Sequence, residues 1–311
     1  MRILIICSGK PSNPQWSFVL NRSYVYEQAE SLKEIGVEYE TYFIEGKGIL
    51  GYLKNYKKMT QKIKDYQPNV IHAHYGLSGL LATLQRKVPV ITTFHGSDIN
   101  IPFIRIFSYI ASRLSAENIF VNKEQPAKLF YKKEVHLIPC GIDTKAFSPI
   151  DKIKAQIKLK LDLNKKYALF TGSFTNKVKN YPLAKDVIEK TKYDIELLEL
   201  KGYTREEVCF LLNAVDVLIM TSFTEGSPMI IKEAMCCNCP VVSVNVGDVK
   251  DTLFSTKGSY VSSSYESIEL EKYIENVITV NKRTNAREKA LQYDLKKVAK
   301  EVWQIYKKVM M

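Results

Sequence analysis

Residues 224–235, TEGSPMIIKEAM, place two carboxylates, Glu225 and Glu233, eight positions apart around a Gly, a Ser, a Pro and a short apolar run. Ser227-Pro228 reads as a helix start: a serine hydroxyl accepts from the amides of a first turn, and proline suits the first helical position. Glu233 then falls one turn beyond Met229, on the same side of the helix. Glu225 lies in the preceding loop, where Gly226 lets backbone come close to a ligand. The amides and dipole at the amino end of a helix attract phosphate, and a carboxylate accepts hydroxyl protons from a polyol. One such element can hold a sugar, a diphosphate and a ribose in sequence. The plainer alternative is a capping loop followed by a solvated glutamate.

Other reactive side chains are scattered along the chain. His95, in TFHGSD, follows an apolar run and so stands at the carboxyl edge of a strand; a hydrogen-bonded structural histidine is the alternative. Asp98 reads as the cap of the next helix. His72 and His74 share one face of a regular strand, but no third and fourth ligands have suitable spacing for a metal. Cys236, Cys237 and Cys239 also lack a fourth ligand and read as small apolar packing, with Asn238 suited to a left-handed helix end. No metal or cofactor is expected. The six cysteines read as reduced thiols of a cytoplasmic protein.

The elements that must position these groups are legible in the hydrophobic pattern. Strands are expected at 2–8, 39–45, 69–75, 88–96, 118–122 and 135–142. A second series is expected at 167–173, 193–200, 215–222, 240–246 and 259–264. Amphipathic stretches such as SYVYEQAESLKEIG and GLSGLLATLQRK lie between the strands. Continuous Val/Ile runs alternating with helices predict parallel sheets covered on both faces, and 311 residues suit two domains. The expected fold is therefore α/β, with two facing Rossmann-like doubly wound domains whose strand ends meet at one cleft. Their bounds are 1–149 and 150–290, and a C-terminal helix, 291–311, packs back on the first domain.

The net charge of +12 points to phosphate-bearing substrates or an anionic membrane surface. No zinc finger or aromatic RNP run accompanies it, so no nucleic-acid partner is expected. Residues 47–64 carry six Lys, with apolar residues at helical spacing. They read as one basic amphipathic helix suited to an anionic bilayer, or as a domain helix with a solvated lysine face. No stretch approaches the ~18 apolar residues of a membrane span.

Several stretches in order, VIHAHYGLSG, TFHGSD, IPCGIDTKAF, FTGSFTNKVKN and GYTREEVCFLLNAVDVLIMTSFTEGSPMIIKEAMCCNCPVV, resemble family 4 glycosyltransferases of the GT-B fold. The most specific is the last, with its E-x7-E element and Cys-Pro-Val-Val strand. The resemblance implies retaining transfer of a sugar from a UDP- or GDP-linked donor to a glycan or lipid-linked acceptor, without bound metal, in surface polysaccharide synthesis at the inner face of the cell membrane. It implies that Lys179 and the amides around Gly226, Ser227, Met229 and Ile230 hold the diphosphate. Glu225 would then take donor-sugar hydroxyls, Glu233 the ribose, and His95 the sugar and phosphate, while Tyr203 stacks on the base. Gly9, Gly172 and Ser173 stand at the family's ligand-side loop positions. Two departures stand out. Ser173 occupies a position where the family usually carries an Arg, six residues before the Lys, and a charge-assisted contact there is worth about 1.5–3 kcal/mol. Secondly, the loop CSGKPSNPQWS lacks the fuller glycine-rich turn. A non-catalytic nucleotide-sugar scaffold and a glycosyl phosphorylase are the alternatives. No G-x-G-x-x-G supports a dehydrogenase.

Overall fold

The computed structural model describes residues 1–311, which divide into two compact units: Met1–Gly141 with Leu295–Met311, and Ile142–Asp294. In the first unit the strands are β1 Arg2–Ser8, β2 Glu38–Ile44, β3 Val70–His74, β4 Val90–Phe94, β5 Glu117–Phe120 and β6 His136–Leu137. They form a parallel sheet in the order β2-β1-β3-β4-β5-β6. In the second unit β7 Lys166–Phe170, β8 Ile195–Glu199, β9 Val217–Met220, β10 Val241–Val244 and β11 Tyr260–Ser262 form a parallel sheet ordered β11-β10-β9-β7-β8. Every residue of β3, β4, β9 and β10 is buried. This is why these strands read as unbroken apolar runs rather than as alternation. In each unit the founding strand lies inside the sheet, with its two successors on opposite sides. The order thus reverses at β1–β3 and at β7–β9, the places where doubly wound sheets bind ligands.

The first sheet is covered on one face by the helices Ser23–Glu34 and Leu295–Met310, whose Val25, Leu32, Val298 and Val302 pack with Ile3 and Ile5. Its other face takes Tyr56–Tyr66 and Gly76–Thr83, with Met59, Ile63 and Leu81 against Leu4, Ile6 and Ile71. Two glycines set the depth of that packing. A Cβ on Gly76 would lie 2.0 Å from Ser108 Oγ, and one on Gly79 would lie 2.4 Å from Thr92 Oγ1. Larger residues there would push the helix off the sheet and off its neighbour Pro102–Leu114.

Several local expectations need correction. Residues 47–64 are not one helix but two, Gly48–Leu53 and Tyr56–Tyr66. Asn55 makes the break: its Nδ2 donates to Gly51 O and to Glu45 O at 2.8 Å each, while its amide turns to Tyr52 O. The side chain thereby takes the carbonyl that a continuous helix would use. The apolar side of the second helix, Met59 and Ile63, is core. The strand expected at 135–142 contracts to His136–Leu137. The C-terminal pattern is likewise interrupted. A 3-10 turn at Leu291–Tyr293 and an extended Asp294 precede Leu295–Met310, and Asp294 forms a parallel bridge with Ile142.

Candidate functional site

In the second unit the candidate residues gather at the carboxyl ends of three adjacent strands. After β7, Gly172 admits the stem of Lys179: a Cβ on this glycine would lie 2.9 Å from Lys179 Cγ. Lys179 closes the 3-10 turn Lys177–Lys179, and Asn180 reverses the chain at φ 56°. After β9, Thr221 Oγ1 donates to the carbonyls of Lys179 and Asn180 at 3.0 and 2.9 Å, and the Phe223 amide donates to Val178 O at 2.9 Å. These bonds stitch the two strand ends together. They bring Lys179 Nζ to 2.7 Å from Glu225 Oε1, both side chains only partly exposed.

After β10, Gly247 adopts φ +57°, and a Cβ there would lie 2.6 Å from Gly226 O and 3.2 Å from Glu225 Cβ. Only glycine satisfies both the left-handed backbone and that approach. The sequence offered no reason to single it out.

The helix proper is Met229–Cys236. Pro228, not Ser227, is its N-cap, and no side chain caps it. The expected Ser227 cap is thus corrected. Its hydroxyl donates to Asp248 Oδ2 and accepts from Lys232 Nζ at 2.6 Å. Pro228 has no side-chain oxygen to offer, so the first-turn amides of Met229 and Ile230 carry no side-chain cap. Lys232 is fully buried, with its ammonium 5.0 Å from the centroid of the Tyr293 ring. The fully buried Lys232 and the half-buried Asp248 form a base behind the loop. Sequence reasoning passed over both, although a lysine in the middle of an apolar helical run was a signal.

Glu233 is buried and its Oε1 accepts from Arg205 Nη1. The Arg205 guanidinium in turn lies 4.6 Å from the Phe147 ring centroid. Arg205 opens the helix Arg205–Ala214, whose capping box pairs Thr204 with Glu207. Tyr203, in the turn before it, is exposed after Gly202 at φ 81°. Ser173 does not replace the family's arginine charge. Its hydroxyl donates to Glu199 Oε1 at 2.7 Å, as does the Phe174 amide, and both hold the Glu199 carboxyl below its ordinary range.

His95 and Gly9 belong to the first unit. His95 sits just past β4 and meets His74, with Nε2 to Nδ1 at 3.0 Å, while its Nδ1 lies 3.7 Å from Cys140 Sγ. His74 Nε2 is buried without a partner. A bare buried N–H costs more than a bare lone pair, so the His74 proton belongs on Nδ1, donating to His95. His72 is bound by Tyr306 OH at 2.6 Å and Thr93 Oγ1 at 2.7 Å. Asp98 does not cap its own helix. It accepts from the amides of His95, Gly96 and Gly76, which ties the β4 loop to the start of Gly76–Thr83. Between these loops Tyr75 holds φ 73° and pairs with Tyr24 through their hydroxyls, a backbone state that only surrounding contacts sustain. Gly9 packs under Trp16 and Phe43, at the rim of a cavity of about 830 Å³ that also takes in Lys10, Asn13, Arg22 and Lys47. No cluster of three or more His, Cys, Asp or Glu is arranged to hold a metal ion, and none of the six cysteines forms a disulfide.

The buried histidines imply an acid-sensitive first unit. Burial pushes His72 and His95 down to about 3, below their ordinary value. The unfolded chain therefore binds more protons, and their contribution, complete above about 6.5, is lost as pH falls toward 3. Asp98, pushed up to about 6 by burial, contributes with the opposite sign. The histidines outnumber it. Thermal melts should show a falling midpoint as pH drops from neutrality to about 5; a flat profile would contradict the neutral histidine stack.

Two doubly wound parallel sheets with chemistry at their carboxyl edges define a GT-B fold. Solved structures agree over nearly the whole chain. Sucrose-phosphate synthase from Thermosynechococcus elongatus superposes with a TM-score of 0.85 at 16% identity, covering 99% of each chain. Anabaena HepE in complex with UDP-glucose superposes with a TM-score of 0.76 at 15% identity, covering 99% of this chain and 100% of that one. The chain belongs to the family 4 glycosyltransferases. The Glycosyltransferase Family 4 model matches residues 22–146 and the Glycosyl transferases group 1 model matches residues 192–293. Among curated relatives, a Bacillus subtilis protein described as a teichuronic acid biosynthesis glycosyltransferase, TuaC, is 24% identical over 220 residues. That match covers 61% of this chain and 56% of the relative, so the chain spans little more than half of that protein's length.

Proposed function

We propose that this chain transfers a sugar, with retention and without a resident metal, from a UDP- or GDP-linked donor to a glycan or lipid-linked acceptor. The observation that carries the reading is the junction of β7 and β9, where Lys179, Glu225 and the uncapped amino end of Met229–Cys236 come together. The donor belongs to the second unit. Its diphosphate meets Lys179 and the amides of Gly226, Ser227, Met229 and Ile230, and its ribose meets Glu233 beside Arg205. Glu225 takes the sugar hydroxyls, and Gly172 keeps room for the lysine. Tyr203 faces the base. The acceptor belongs to the first unit, whose Gly9-rimmed cavity carries Lys10, Arg22 and Lys47, and we assign His95 of that unit to the chemistry. In the transfer the bond from the anomeric carbon to phosphate breaks as the acceptor oxygen bonds on the same face. The acceptor's proton passes to the leaving phosphate oxygen, whose charge Lys179 and the helix amides offset. The relative's polysaccharide role supports an acceptor in surface polysaccharide synthesis. We assign the protein to the cytoplasm, peripheral at the inner face of the membrane; no helix is long and apolar enough to cross it.

UDP or GDP is expected to raise the melting temperature without magnesium, and Glu233→Ala to weaken that shift by about tenfold in nucleotide concentration, the scale of one charged hydrogen bond. No shift with any nucleoside diphosphate would overturn the donor site. The internal bonding of Ser173 keeps a second reading open, a non-catalytic nucleotide-sugar scaffold. Donor binding with no turnover in hydrolysis, transfer or orthophosphate-dependent assays would favour it.

A further inference from the structure

The helix Pro102–Leu114 is amphipathic in the inverted sense. Its small residues Ser108, Ala111 and Ser112 face inward, against Gly76 of the neighbouring helix. Its large residues face solvent: Phe103 is 67% exposed, Ile106 56% and Ile110 39%. A helix whose large apolar face served the core would show the reverse. Beside it, Phe130 is 74% exposed and held at φ +47°, a costly state for an aromatic residue. Arg113 Nη2 donates to Phe130 O at 3.2 Å and fixes that loop to the helix. Residues 101–115 contain Arg105 and Arg113 and no acidic residue, and the exposed Lys132 and Lys133 follow Phe130, while the next residue, Glu134, is paired with Lys308. A contiguous apolar surface rimmed by cations marks a docking face.

We propose that this face, Phe103, Ile106, Ile110 and Phe130 with Arg113, Lys132 and Lys133, seats the protein on an anionic phospholipid bilayer. The apolar side chains would enter the headgroup boundary and the cations would meet lipid phosphates. A second copy of the chain is a poorer occupant, because a two-fold contact would set the same cations against themselves in a chain of net charge +12. The lysine-rich segment 47–64 differs in kind: its second helix spends Met59 and Ile63 on the core, leaving only Leu50 and Leu53 to insert. Docking rests on the proposed function for the lipid-linked acceptor and for the peripheral place at the membrane; the face that docks is argued from its own residues. The helix starts seven residues after His95, so a seated protein would hold that loop close to the membrane.

Flotation with phosphatidylcholine vesicles, with and without phosphatidylglycerol, tests this on the full chain. Wild type should float only with the anionic lipid. The double variant Phe103→Ser/Ile106→Ser, and separately Phe130→Ser, should partition about tenfold less or worse. The midpoint of unfolding and the shift given by UDP or GDP should stay unchanged, so loss of docking is distinguishable from loss of the donor site. Leu50→Ser/Leu53→Ser should partition nearly as wild type. Equal flotation of the helix variants and wild type would overturn the proposal. So would a dimer in light scattering that these variants split, without vesicle binding.

Discussion

Lys179→Ala should lower donor turnover about a hundredfold to a thousandfold, the usual cost of removing one preorganised donor from a developing anion, while leaving the melting temperature almost unchanged. The two halves of that expectation have different origins. The Lys179–Glu225 pair, at 2.7 Å, keeps 21% and 15% side-chain exposure. A partly solvated pair of this kind contributes about 1 kcal/mol or less to folding. In the proposed transfer, by contrast, negative charge would grow on the leaving diphosphate, and Ser173 stands where the family resemblance expects an arginine. That serine is engaged with Glu199 and adds no positive charge. Lys179 is then the cation fixed beside this helix end by packing, its stem lying over Gly172. Lys177, exposed on the same turn, is not fixed, so Lys177→Ala should cost at most about tenfold through weaker long-range attraction. Gly172→Ala should resemble a mild Lys179 variant, because it displaces the stem without removing the charge. Measured kcat and KM would decide: equal losses in Lys177→Ala and Lys179→Ala would mean that the turn supplies charge without position.

What the sequence carried, and what it withheld, follows from how local each determinant is. Buried strands announce themselves through continuous runs such as VIHAH and VLIM, and the pairing of helix with strand fixed the fold class. The helix of the E-x7-E element was legible because Pro228 and the apolar run that follows it are neighbours in sequence. Bonds between distant residues were hidden. Nothing near Gly247 says that its Cα must lie under Gly226, and nothing near Ser227 says that Asp248, across β10, will claim its hydroxyl. The Ser227 cap failed for that reason, since a local cap competes with any tertiary partner that reaches the hydroxyl first. Asn55 is the mirror case: its side chain ended a helix whose periodicity ran straight through it. Arg205 could have been suspected, because it stands two residues after Tyr203, which the family resemblance placed by the base.

Lys232→Met should lower stability by about 3 kcal/mol, near the lower bound for breaking a buried charge pair, although the substitution nearly conserves volume. Lys232 has no exposed surface, and its ammonium bonds Ser227, which bonds Asp248. Burial raises the Asp248 carboxyl above its ordinary range, and Lys232 is the largest influence opposing that rise. Without the lysine the carboxylate is stranded. The sign of the pH dependence follows. A carboxyl with a raised native pKa binds more protons folded than unfolded, so its cost grows as pH rises through that range and fades below it. The deficit of Lys232→Met should therefore shrink in acid. Asp248→Asn added to Lys232→Met should recover most of the loss, a coupling well outside additivity for residues joined through one hydroxyl. If packing alone were at stake, methionine would serve nearly as well as lysine and the second substitution would only add damage. Denaturant titrations of the four proteins in this cycle separate the two accounts. They bear on the proposed catalysis as well, because Ser227 stands between this base and the amides that would face the diphosphate. A cycle that closes without coupling would remove the Lys232–Ser227–Asp248 chain as the support of that loop.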